Sequence, residues 1–127
     1  MTAILLALSL VTLPQEFRVV DAPDCWTVHG RLMLTNGSPG IRIWPVGTRR
    51  LLGVYPHEDM RGLPVNIRPY ANWDTNIYAD FRVCPLAPEH RGAMRPVSVI
   101  SARSVVIEGR TQETGQTTVF KLKESPK

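Results

Sequence analysis

The chain reads as a single small all-β domain, and three observations predict this. Eleven Pro and nine Gly in 127 residues place turns throughout and leave little room for long helices, because Pro lacks a backbone donor and clashes inside a helix. Two segments alternate apolar and polar side chains with a period of two, which is the pattern of a strand with one buried face. Beyond the N-terminal residues no segment carries a helical period. At 14.2 kDa and 43% hydrophobic residues the chain can bury one modest core, and five or six strands suffice to build it. An OB-like barrel is the first choice of architecture and a sandwich the second.

The elements follow in order. In Trp26 to Leu34 the even positions Trp26, Val28, Leu32 and Leu34 are apolar, and Gly30 in mid-strand points to a bulge or a coiling of the sheet. Asn36-Gly37-Ser38-Pro39-Gly40 is a dense turn signal that leads into Ile41-Arg42-Ile43-Trp44, so the first two strands form a hairpin. Arg50 to Tyr55 is a short third strand, and Pro56 to Asn72 reads as an irregular loop. Asn76 to Cys84 alternates cleanly, with Ile77, Ala79, Phe81 and Val83 on one face and Tyr78, Asp80 and Arg82 on the other. Pro85 to Arg95 is a second loop. Val97 to Glu108 gives one long strand, or two short ones kinked at Ser101 to Ser104. The organisation expected is a leader over residues 1–20, a β domain over 21–109, and a polar segment over 110–127 that is a frayed tail or a weak edge strand.

Residues 4–13 form an apolar run ended by Pro14. Ten residues fall short of the about 20 helical residues that a bilayer span needs, but they suit the apolar region of a secretory signal peptide. The run is preceded by no Lys or Arg and followed by no A-x-A cleavage site, which departs from that pattern. Cys25 and Cys84 are the only cysteines, an even count in no metal or redox spacing, and an oxidising compartment would join them. By strand parity both point outward at strand ends. The expectation is a periplasmic or secreted protein with one disulfide and no stable membrane span in the mature chain.

The segments at 25–32 (Cys-Trp-Thr-Val-His-Gly-Arg-Leu), at 40–54, and at 78–86 (Tyr-Ala-Asp-Phe-Arg-Val-Cys-Pro-Leu) resemble small exported proteins of unknown function from Gram-negative bacteria. The resemblance implies export and a disulfide, and it transfers no catalytic or binding residue.

Fifteen basic against eleven acidic residues give a net charge of +4, and twelve of the fifteen are dispersed Arg. An anionic partner fits this balance, yet no basic run interleaved with aromatics marks a nucleic-acid motif. Aromatic residues on the outward parity, Trp44 and Tyr78, with Tyr70 and Trp73 on the approach, lie near Arg42, Arg82 and Arg31. Together they outline a shallow face for an anionic or carbohydrate ligand of the cell envelope. The competing reading is that loops cover these rings as a second small core. His57, Glu58 and Asp59, which His90 could join in space, are the best cluster of potential metal ligands, but adjacent residues in an extended loop seldom close around an ion. No nucleophile elbow frames any Ser, and Asp74-Thr75-Asn76 lacks the rest of a calcium loop. The expectation is thus a non-enzymatic module with no cofactor. The alternatives are a small metal-dependent hydrolase or a cytosolic OB-like nucleic-acid binder.

Overall fold

A computed structural model describes residues 21–124. The apolar run and the expected signal peptide lie outside these residues. The fold is all-β: β1 (Trp26–Leu34), β2 (Ile41–Pro45), β3 (Leu52–Val54), β4 (Thr75–Pro85), β5 (Arg95–Arg110) and β6 (Thr117–Lys121), with two single 3-10 turns at Glu58–Met60 and Arg68–Tyr70. The sheet order is β3-β2-β1-β4-β5-β6, and β3 also pairs with β5. That last pairing is parallel, all others are antiparallel, and it joins the first five strands into a closed circuit. β6 hangs on the free side of β5.

Parity builds the core. On β4 the odd positions Ile77, Ala79, Phe81 and Val83 are fully buried. Their partners on β1 are even, with Val28 opposite Phe81 and Leu32 opposite Ile77, and Leu32 also faces Ile43 of β2. Gly30 makes no bulge, since the register of β1 runs unbroken through it. It pairs at once with Pro45 and Ala79, and a Cβ there would stand 2.7 Å from Ile43 Cγ2. The small residue is needed for the close approach of two strands.

β5 is one strand of sixteen residues, not two. Its register against β4 shifts twice, and Ser104 at φ +53° sits at one of the shifts. Buried apolar positions accordingly run Val97 and Val99, then Ala102, then Val105 and Ile107, with Ser98 buried between the first two. Each extra residue flips the alternation and bends the strand, as bulges do.

The connection between β3 and β4 is the irregular segment expected, and it is anchored: Leu63 and Ile67 are buried in the core, the Arg68 guanidinium donates to the Leu63 carbonyl at 2.9 Å, and Asn66 Nδ2 donates to the Ala102 carbonyl at 2.9 Å. Pro and Gly shape this segment while its two apolar anchors fix it. Cys25 and Cys84 are joined as a disulfide, but neither is exposed as outward parity implied; each is only 7% accessible. The turn before β1 folds over them. The Ala22 N–H donates to Cys25 Sγ at 3.3 Å, the Cys25 N–H donates to the Ala22 carbonyl, and Asp21 accepts from Arg82.

The polar C-terminal segment holds the edge strand β6, which pairs with Val106–Arg110. Among the described residues no helix is long and apolar enough to cross a membrane.

Candidate functional site

The antiparallel path sets the β2–β3 and β4–β5 loops side by side at one end of the circuit. The parallel pair brings them together, because Leu52 stands opposite Arg95 and the Arg95 N–H donates to the Leu51 carbonyl. Each loop reverses at a glycine with φ +81°, Gly47 and Gly92, a conformation that side chains rarely adopt. Thr48 stiffens the first loop: its N–H and hydroxyl donate to the Pro45 carbonyl, and its own carbonyl accepts from Trp44 Nε1. In the second, the Ala93 N–H donates to the His90 carbonyl and the Leu86 N–H to the Pro96 carbonyl.

Between the loops lies a cleft of about 570 Å³. Its floor is apolar, made by Trp26, Val28, Pro45, Leu52 and Met94. Its rim is cationic, with Arg49, Arg50, Arg91 and Arg95 beside His90 and a single carboxylate, Glu89. Arg50 pairs with Glu89 across the two loops. Among the described residues Arg49, Arg91 and Arg95 have no carboxylate partner. The Arg95 guanidinium lies 4.9 Å from the centre of the Trp26 ring, and its Nε is buried without a hydrogen-bond partner. Four guanidinium groups around an apolar floor can hold an oxyanion by forked hydrogen bonds while the floor takes an apolar group.

The aromatic face expected from the sequence is assembled only in part. Trp44, Arg31 and Tyr78 form one row across β2, β1 and β4, and the Arg31 guanidinium stacks 4.9 Å from the Trp44 ring centre. Arg42 shares that side of β2 but turns back to donate to the Pro39 carbonyl, and Arg82 is held by Asp21 and Thr27. Tyr70 leaves the row, packing against the core and edge-on to Phe120 at 5.7 Å. Trp73, 63% exposed, stands by Thr75, Arg110 and Thr118 at the far end of β4. His29 Nδ1 on β1 lies within hydrogen-bond distance of Asp80 Oδ1, at 2.8 Å.

His57 and Glu58 are 3.7 Å apart in the β3–β4 connection, whereas His90 lines the cleft. Among the described residues the one convergent set of three potential metal ligands is Asp21, Cys25 and Cys84, and its two sulfurs are already bonded to each other. Sequence reasoning missed Trp26, Arg49, Arg50, Arg91 and Arg95 as a group. The only signal for them was basic residues in both loops that flank these strands.

No protein-family model matches the chain, and searches of curated proteins and of solved structures return no match.

Proposed function

We propose that the chain is an exported, non-enzymatic binding module built as a small OB-like barrel, and that its cleft receives an anionic ligand of the cell envelope. The circuit β1-β2-β3-β5-β4 with a parallel β3–β5 contact supports the barrel reading. The bonded Cys25–Cys84 pair supports an oxidising compartment. The observation that carries the function is the gathering of four guanidinium groups and one carboxylate around a single apolar-floored cleft. The hydrolase alternative needs His57, Glu58, Asp59 and His90 together, and no convergence of these groups supports it among the described residues.

The test has two arms. Periplasmic material from a Gram-negative host expressing the chain with its own N-terminus should, by mass spectrometry, lack the apolar run and contain no free thiol. Retention of that run together with two titratable thiols would instead favour the cytosolic alternative. Calorimetric titration with trigalacturonate, an acidic oligosaccharide, should give binding that weakens as salt rises and is lost in the Arg49→Gln, Arg91→Gln double variant. Binding indifferent to both would remove the cleft from the proposal.

A further inference from the structure

Resting on that reading of the cleft, we infer that the ligand it fits best is a small amphipathic oxyanion, one carboxylate or phosphate head on an apolar body. Three observations lead there. The volume, about 570 Å³, is that of a small-molecule pocket, for which about 300–1,000 Å³ is usual. The Arg50–Glu89 pair ties the two loop walls together, which makes a bounded cleft of what would otherwise be a groove between loops. The floor of Trp26, Val28, Leu52 and Met94 can take apolar surface of a ligand out of water.

The head is placed by Arg95. This residue begins β5 where floor meets rim, and its guanidinium is fixed over Trp26. Its Nε is enclosed by the protein without a hydrogen-bond partner, so an oxyanion in the cleft would be met by the terminal nitrogens of the fork. Arg49 and Arg91, exposed on opposite loops and without carboxylate partners among the described residues, complete the fork from either side. Glu89 is already engaged by Arg50, so the one carboxylate of the rim is partly neutralised.

The experiment uses octanoate and octyl phosphate below their aggregation thresholds, with acetate, inorganic phosphate and octanol as partial ligands. Calorimetry should find one site per chain for both octyl anions. Acetate, inorganic phosphate and octanol should each bind at least ten-fold more weakly, because each lacks either body or head. The chain has three Trp, so a Trp44→Phe, Trp73→Phe variant leaves Trp26 as the sole indole, and its emission should shift on adding octanoate. Arg49→Gln with Arg91→Gln should weaken octanoate at least ten-fold while the unliganded melting temperature stays put. Preference for octanoate would point to a free carboxylic acid, and preference for octyl phosphate to a lipid phosphate; either supports the inference. Octanoate no tighter than acetate, or an unmoved Trp26 emission, would overturn it. If trigalacturonate still binds through Arg49 and Arg91 in that case, the anion-binding reading stands and only the amphipathic class falls. If neither probe binds, both fall.

Discussion

Gly30 and Trp44 carry opposite kinds of constraint on neighbouring strands. At Gly30 the space that a methyl would need is already filled by Ile43 Cγ2 at 2.7 Å and the Trp44 carbonyl at 3.1 Å. Gly30→Ala must push β1 from β2 or move Ile43, and overpacking of this kind costs about 1–3 kcal/mol. A urea midpoint equal to that of the parent would show that Ile43 yields freely. Trp44 is 41% exposed and stacks with Arg31 instead of filling the interior. Trp44→Ala should therefore cost only about 1 kcal/mol, the scale of an exposed cation–π contact. A loss of about 3 kcal/mol or more, as for a buried aromatic, would make Trp44 a core residue. At the disulfide, too, parity gives the direction of a side chain and says nothing of what covers it. Cys25 and Cys84 are buried because residues 21–24 fold across them.

Among the elements, β5 does the most varied work: it pairs with β3, β4 and β6. Meeting three neighbours requires a strand that bends, and its two register shifts supply the bend. Ser104 adopts φ +53° at one of them, where a Cβ crowds the following backbone. Ser104→Gly should be neutral or stabilise by up to about 1 kcal/mol, and Ser104→Val should destabilise by about 1–2 kcal/mol, since a β-branched residue tolerates this region least. Chemical unfolding of the two variants checks the order; a more stable Val variant would mean that the bulge relaxes. β6 is the weakest element, with all five residues exposed. It is held through the Phe120–Tyr70 contact and by Leu122, which packs against the core and whose N–H donates to the Val105 carbonyl. Phe120→Ala should cost about 0.5–1.5 kcal/mol, the worth of an aromatic pair. Amide exchange should quicken in β6 and leave β4 unchanged, whereas uniform quickening would make β6 part of the cooperative core.

At the scale of the molecule, the disulfide links residues 59 apart and encloses β1 to β4, with its two sulfurs next to the Trp26–Val83 pair. In the chain-entropy model closing such a loop is worth about 4 kcal/mol, a large part of what a domain of this size has. Cys25→Ser with Cys84→Ser should lower unfolding stability by about 2–4 kcal/mol, and unfolding with and without reductant should reproduce that difference in the parent. Equal midpoints would mean that the reduced chain keeps the loop closed by packing alone. The disulfide and the cleft lie at the same end, where β1 and β5 start and β4 ends. The staple thus also steadies Trp26, the floor of the candidate site.

The all-β class, the β1–β2 hairpin and the inward faces of β1 and β4 were legible in the sequence, because alternation records which side of a strand is buried. Leu32 with half-buried Val28, and Ile77, Ala79, Phe81 and Val83, show it directly. The even cysteine count outside any metal spacing likewise announced the pair that forms. What only the tertiary structure decided is the parallel contact of the three-residue β3 with the start of β5, some forty residues later. A pairing that short leaves no period to read, and its partners are chosen by how the whole circuit closes. The cleft depends on that contact. Arg49 and Arg50 sit in one loop, Glu89 to Met94 in another that leads into Arg95, and nothing local relates them until Leu52 is set opposite Arg95. The aromatic face failed to assemble in full for the same reason. Parity could put Trp44 and Tyr78 on one side, but the positions of Tyr70 and Trp73 were set by the β3–β4 connection, whose buried Leu63 and Ile67 answer to the core and to no alternation.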